Sequence, residues 1–255
     1  MTILKRFLAA FAFLTIAPMP RGLALDADAI GRSRAFFPAP GLALGAIYAG
    51  LLAVPARFPG IPASLTVLAV VCAMCVLTRA LHLDGLADLA DAWGSGAPRV
   101  RALEIMRDSR IGTFGTVAIV LLLGANAAAV FEISGRVSAN PGGRALRLVI
   151  LAPAAARLAA AWLIQWFPYA RAQGKGSLFL ERKPLADLAA ALALAAAAAW
   201  FLAAVPGLLC LAGAILAAHA FGMFWNRKYG GLTGDIYGAA VTLVESAALW
   251  FAALW

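Results

Sequence analysis

Apolar residues fill seven runs along this chain, at 41–57, 62–81, 112–131, 145–167, 185–205, 208–225 and 236–254. Each is close to the length that crosses a bilayer as a helix. Alanine and glycine are frequent in them, for instance from Ala189 to Ala199. That composition suits close helix packing in lipid. A shorter apolar stretch, Phe7 to Pro18, follows Lys5 and Arg6. It is short for a span, lacks a small-residue cleavage site and is stopped by Pro18 and Pro20. It reads as an interfacial or half-inserted helix rather than a signal peptide. The expectation is an all-α, polytopic membrane protein with about seven transmembrane helices plus this short N-terminal helix. Residues 1–255 would form a single membrane-embedded catalytic domain.

The polar segments between the runs assign the sides. One set holds Arg32 and Arg34; Arg99, Arg101, Arg107 and Arg110; Arg171, Lys175, Arg182 and Lys183; and Arg227 and Lys228. The other holds Arg57, Arg136, Arg144 and Arg147, and an uncharged turn near Pro206. The richer set is expected to be cytoplasmic. Composition agrees with this class: 64% of residues are hydrophobic, 13% are charged, and mean hydropathy is +0.88. The net charge of +9 follows from this bias and from anionic substrates, so nucleic acid is not required as a partner. Cys72 and Cys75 have CxxC spacing but lie mid-span without a second pair, and Cys210 is alone, so neither zinc nor redox chemistry is expected. No internal repeat is visible, which removes the inverted-repeat signature of many transporters.

Candidate chemistry collects on the side expected to be cytoplasmic. Five of the twelve acidic residues lie within 25 positions, from Asp84 to Asp108. Asp84, Asp88 and Asp91 stand at i, i+4 and i+7, which puts them on one helical face. Their neighbours are Leu83, Leu86, Ala87, Leu89 and Ala90, with no lysine to neutralise them. Carboxylates crowded in this way call for a cation, and oxygen-only ligands favour magnesium, calcium or manganese. His82 is a candidate base or ligand, or simply a hydrogen-bonded residue at the membrane edge. Glu104 and Asp108 are again at i, i+4, while Arg107 and Arg110 can clamp phosphate oxygens; the bland alternative is a surface helix with local ion pairs. Gly230 to Asp235 reads in two ways. It is either a C-cap glycine followed by an N-cap at Thr233 or Asp235, or a phosphate-cradling turn in which Gly231 and Thr233 meet substrate and Asp235 adds a metal ligand. Glu245, about three turns into the last span, is a functional candidate unless Arg79 or Arg157 neutralises it. His219 is expected to be a packed residue.

At these residues the chain resembles the cobalamin synthase, or adenosylcobinamide-GDP ribazoletransferase, family. The matching segments are His82-Leu-Asp-Gly-Leu-Ala-Asp88 with Asp91, and Leu103-Glu-Ile-Met-Arg-Asp-Ser-Arg-Ile-Gly112. Phe37-Pro38 with Gly41, Tyr169-Ala-Arg171 with Gly174, and Gly230-Gly-Leu-Thr-Gly-Asp235 with Gly238, Ala239 and Glu245 extend the agreement. Arg79 and Ala80 stand where glycines are expected, as does Ala92, and Pro40 interrupts an aliphatic position. The resemblance implies a multi-pass enzyme of the bacterial inner membrane whose active site faces the cytoplasm. It implies that the 3′-hydroxyl of α-ribazole, or of its 5′-phosphate, attacks the cobinamide-side phosphorus of adenosylcobinamide-GDP and that GMP leaves, with Mg2+ as cofactor. Asp84, Asp88, His82 and Asp108 would then be catalytic. Arg107, Arg110, Arg171, Lys175, Gly231 and Thr233 would bind substrate, and Asp84, Asp88, Asp91 and Asp235 would hold the metal. The lipid bilayer is an expected partner, and a homo-oligomer is compatible with the sequence. Two other readings are weighed. A CDP-alcohol phosphotransferase carries an alanine-arginine pair after its aspartate-glycine, whereas here Leu86-Ala87 leads to Asp88. A transporter would place its polar residues at the midplane rather than on one side.

Overall fold

A computed structural model of the chain describes residues 2–20, 25–171, 179 and 183–255. The described residues are helical apart from turns and one isolated bridge, Tyr169 to Leu232. The N-terminal helix α1 spans Thr2–Leu14 and α2 Ala27–Arg32. Three helices, α3 (Pro38–Arg57), α7 (Thr113–Ala139) and α8 (Arg144–Trp166), are each long and apolar enough to cross a membrane. So are α9 (Leu185–Tyr229) and α10 (Gly234–Ala253). Between them lie α4 (Ala63–Val76), α5 (Leu81–Gly94) and the short α6 (Arg99–Ile105). The helices α4 and α5 would make a sixth candidate if counted as one broken span, bent by 80°.

All seven apolar runs fall on helices, and the run 62–81 is α4 with the turn after it. The pair 185–205 and 208–225 are both α9, which reverses. A straight helix of its 45 residues would be about 68 Å long. Yet both its ends meet the C-terminal end of α8: Gln165 Nε2 donates to Lys183 O at 3.2 Å, and Ala170 N donates to Leu232 O at 2.8 Å. The reversal is at Ala204, with φ 49° and ψ −129°, just before Pro206. There a Cβ on Gly207 would come within 2.3 Å of Ala199 O.

The centre of the fold is α8, packed by α3, α9 and α10. Its alanines, Ala152, Ala154 to Ala156 and Ala159 to Ala161, are buried and keep the neighbouring backbones close. Gly41 and Gly45 of α3 take this furthest. A Cβ on Gly45 would lie 2.2 Å from Ile150 O, and one on Gly41 2.5 Å from Ala154 Cα. Without a hydrophobic drive between helices in lipid, such small-residue contacts carry the association. Large apolar side chains point outward on α7 and α9, including Phe114, Leu121, Phe201 and Leu216. They form the lipid-facing surface that a water-soluble monomer would not expose. In contrast, α1 keeps Ala10 and Leu14 buried, ties Arg6 to Asp28 at 2.8 Å, and places Phe13 on a cavity wall.

Two intramembrane polar residues are settled by packing. Glu245 is ion-paired with buried Arg157, while Arg79 instead donates to Thr15 O at 3.0 Å. His219 accepts from Trp162 Nε1 at 3.2 Å and packs on Phe167, as expected of a packed residue.

Candidate active site

The site begins with the turn that launches α5. Arg79 and Ala80, at the two positions where glycines are expected, both adopt left-handed backbone with φ of 53° and 52°. Ala80 N closes the end of α4 by donating to Cys75 O at 2.8 Å. The chain then leaves at 80° and α5 crosses the start of α10. Gly85 is the contact point: a Cβ there would lie 2.7 Å from Asp235 O. The absence of a side chain at Gly85 therefore brings the aspartates of α5 beside Asp235. At 14 residues, α5 is about 21 Å long, too short to cross a bilayer by itself, and we read it as lying outside the spans.

The three aspartates of α5 have different surroundings. Asp84 is exposed. Burial pushes the Asp88 carboxyl up to about 7, with the charges of Asp84, Asp235 and Asp91 adding to the shift. Asp91 is committed to the backbone: Oδ2 accepts from Gly112 N at 2.7 Å and Oδ1 from Gly115 N at 2.8 Å. It is an anion held at the N-terminus of α7, where free amides and the helix dipole favour negative charge. Gly112 and Gly115 are needed for this, since a Cβ on either would lie 2.4 Å from an Asp91 oxygen. The Gly112 and Gly115 amides are thereby taken by Asp91 rather than left for a substrate anion.

Asp235 opens α10 and pairs with Arg171 at 2.9 Å. The two are brought together by the bridge between Tyr169 and Leu232, in which Leu232 N donates to Pro168 O at 2.8 Å. Thr233 is fully buried; its Oγ1 accepts from Ile236 N at 3.2 Å and donates to Asp235 Oδ2 at 3.2 Å. This is the N-cap alternative of the sequence reading, so Thr233 holds α10 and Asp235 in place and presents no face to substrate. Gly231, with φ 149°, lies against the Tyr169–Ala170 backbone, where a Cβ would meet Ala170 N at 2.8 Å. It too serves packing rather than a phosphate cradle. Lys175 and Gly174 lie outside the described residues.

Glu104 and Asp108 do not share a helical face, because α6 ends at Ile105 and a turn follows. Glu104 pairs with Arg101 at 2.9 Å in solvent. The Arg110 guanidinium grips both oxygens of Asp108, at 2.6 Å to Oδ2, and holds that carboxyl down at about 2. Arg110 is 86% exposed and lines none of the three cavities described next.

Three concavities border α5. The largest, about 500 Å³, lies beside the turn before the helix and is lined by Phe13, Thr15, Thr78, Arg79 and Asp84. Of the two that Arg107 lines, the larger, about 340 Å³, has an apolar interior that includes Phe13, Phe37 and Phe179, and a polar rim of Asp84, Arg107, Arg171 and Asp235. The other, about 270 Å³, is lined by Asp84, Asp88, Arg107, Asp108 and Ser109. Asp84, Met106 and Arg107 form the wall common to both. Below them His82 is buried, and its Nε2 finds no partner among the described residues. It lines the larger cavity and also a pocket of about 30 Å³ shared with Asn126, Arg157 and Glu245.

Among the described residues no three acidic, histidine or cysteine side chains already meet at one metal position. That does not disqualify magnesium, which keeps several waters and takes one or two carboxylates plus substrate phosphates. The donor chemistry suits it: Asp88 and Asp235 offer carboxylate oxygens, and Asp88 is crowded by like charge that a cation would relieve. The sequence reading missed Tyr237, whose hydroxyl is buried, lines the larger cavity and is unpartnered among the described residues. It also gave no role to Phe13 or Phe179. An aromatic residue in an apolar run carries no signal that separates cavity wall from core.

Residues 6–253 match the family model described as cobalamin-5-phosphate synthase. An adenosylcobinamide-GDP ribazoletransferase of Roseiflexus sp. (strain RS-1) is 40% identical over 242 residues, covering 94% of this chain and 86% of that protein. Proteins of the same name from Syntrophobacter fumaroxidans and Klebsiella pneumoniae subsp. pneumoniae are 39% and 36% identical, each over 94% or more of both chains. No solved structure matches.

Proposed function

This chain belongs to the cobalamin-5-phosphate synthase family, and from that premise we propose that it joins adenosylcobinamide-GDP to α-ribazole, or its 5′-phosphate, and releases GMP. The observation that carries the reading is the pair of cavities with Asp84 and Arg107 as their shared wall. A two-substrate phosphoryl transfer needs two adjoining sites with a base and a cationic group where they meet.

The α-ribazole 3′-oxygen forms the new bond to the cobinamide-side phosphorus. The bond from that phosphorus to the bridging oxygen breaks, and GMP leaves with that oxygen and its electron pair. Asp84, on the shared wall, takes the proton of the attacking hydroxyl. Arg107 and Arg171 hold the pyrophosphate oxygens, since an arginine fork matches phosphate geometry and stays charged. Asp88 and Asp235 are the residues that would hold magnesium, which would draw negative charge from the phosphates when bound. Arg171 keeps Asp235 oriented through their ion pair, and Asp91 fixes α5 against α7. Asp108, held by Arg110, lines the smaller cavity near Arg107 and positions that turn.

The site faces the cytoplasm of a bacterial inner membrane in this reading, supported by the positive-inside count. The test is GMP release by purified protein in detergent, given adenosylcobinamide-GDP, either acceptor and a magnesium titration. Release that requires both substrates and the metal is expected. Asp84→Asn should reduce turnover on the order of 10²- to 10⁴-fold. Failure of the wild-type protein to release GMP from adenosylcobinamide-GDP under any of these conditions would sink the reading.

A further inference from the structure

We infer that the larger cavity is the acceptor subsite: its aromatic interior takes the benzimidazole base of α-ribazole, and its rim presents the ribose to Asp84. This rests on the proposed activity and says which of the two substrates enters which cavity.

Size admits the acceptor. About 340 Å³ accommodates a nucleoside-sized molecule, at the lower end of small-molecule sites, while the bulkier corrin, with its amide side chains, is better matched by the 500 Å³ concavity that adjoins at Phe13 and Asp84. Two flat bases then compete, the guanine of the donor and the dimethylbenzimidazole of the acceptor. The interior decides between them. Phe13 and Phe179 meet at 5.0 Å between centroids, and Phe37 and Phe179 at 5.6 Å, both edge to face. Ala160, Ile164 and Val241 also line the cavity, and none of these described side chains carries a hydrogen-bonding group. Guanine buried there would leave its carbonyl, amino and ring nitrogen groups unpaired, and each such group would lose its hydrogen bonds to water without replacement. The methylated benzo edge of dimethylbenzimidazole has no such groups and gains the full apolar burial.

The same cavity carries the polar groups that the acceptor requires. Tyr237, one turn beyond Gly234, places a buried hydroxyl, unpartnered among the described residues, on the wall, which fits a ribose hydroxyl or ring oxygen. Asp84 and Arg107 line both this cavity and the smaller one, where the reacting oxygen must sit. The pyrophosphate then lies where the two cavities meet, within reach of Arg107 and Arg171, and the smaller cavity, with Asp88, Arg107 and Ser109, takes the donor side.

The experiment uses full-length protein in detergent and measures α-ribazole binding without donor, by equilibrium dialysis, together with the two KM values. Ala160→Phe fills the apolar end. It should weaken α-ribazole binding and raise the KM for α-ribazole at least tenfold, while the KM for adenosylcobinamide-GDP stays within twofold. Guanosine should not displace α-ribazole from the wild-type protein. An arm independent of that variant's folding is Phe13→Cys in a background without Cys72, Cys75 and Cys210. α-Ribazole should protect this half-buried thiol from alkylation, and guanosine should not. Undiminished α-ribazole binding in folded Ala160→Phe, a rise confined to the KM for adenosylcobinamide-GDP, or protection by guanosine alone would each overturn the assignment. The binding and protection outcomes need no turnover and the KM outcome is read only where the wild type releases GMP, so failure of this assignment is distinguishable from failure of the activity itself.

Discussion

At the scale of single residues, the two arginines of the Arg107-Asp108-Ser109-Arg110 segment look equivalent in sequence and are not equivalent in space. Arg110 is turned to solvent and spends its fork on Asp108, whereas Arg107 makes no ion pair among the described residues and lines both cavities. Arg107→Lys keeps the charge and loses the bidentate geometry. It should lower kcat by about tenfold or more, because charge on the departing phosphate builds only as the bond breaks. Arg110→Lys should leave kcat and KM within about twofold, since exposed pairs contribute little. Steady-state GMP release separates the two, and equal losses in both variants would restore the paired clamp. Asp91 makes a related point. The i, i+7 spacing put it on the face of Asp84, but only the fold shows both of its oxygens already accepting from amides of α7.

At the scale of elements, the turn between α4 and α5 stores backbone strain. A left-handed residue with a Cβ costs roughly 1–2 kcal/mol, and the turn contains two. Arg79 recovers part of this through its bond to Thr15 O; Ala80 has no side-chain group with which to do so. Ala80→Gly should therefore stabilise the protein, by about 1 kcal/mol after the extra freedom glycine has in the unfolded chain. A higher midpoint of thermal unfolding in detergent is the expected result, and a lower midpoint would mean that the turn is held by contacts of the Ala80 methyl. The same reasoning shows why sequence could register these positions only as departures from a pattern of glycines. The left-handed conformation belongs to the backbone and is imposed by packing α5 across α10 through Gly85.

At the scale of the whole molecule, three segments far apart in sequence, around 82–112, 168–171 and 230–235, meet at one end of the bundle. The charges this gathers make stability depend on pH. The Asp88 carboxyl lies at about 7 in the folded protein, against an ordinary value of 3.8. A raised carboxyl binds its proton more tightly when folded, so stability falls as pH rises from about 4 to 7 and the loss is complete above that. In chelator, the melting temperature should rise as pH is lowered from 8 towards 5. Magnesium should raise it most at pH 8, where the carboxylates are charged, and little near pH 5. Asp88→Asn should flatten both trends. A magnesium shift that is the same at pH 5 and pH 8 would remove Asp88 from the ligand set. Orientation is tested separately, by Ser95→Cys in a background without the native cysteines. An impermeant thiol reagent should leave it unmodified in intact cells and modify it in inverted vesicles; labelling from outside would reverse the topology.

Hydropathy alone determined the class of this protein, because lipid demands long apolar helices with satisfied backbones and leaves few alternatives. It located all seven apolar runs on helices, and charge bias grouped the polar segments that the fold does bring together. The motif around Asp84 and Asp88 announced crowded carboxylates, since one helical turn fixes their spacing. Tertiary structure decided what no periodicity encodes. It reversed α9 at Ala204, closed α3 on α8 through Gly41 and Gly45, and paired Glu245 with Arg157 rather than Arg79. It turned Thr233 and Gly231 into supports, and gave Phe13, Phe37, Phe179 and Tyr237 a shared cavity. Those outcomes depend on which surfaces meet across tens or hundreds of residues, and local sequence carries the shape of each surface without naming its partner.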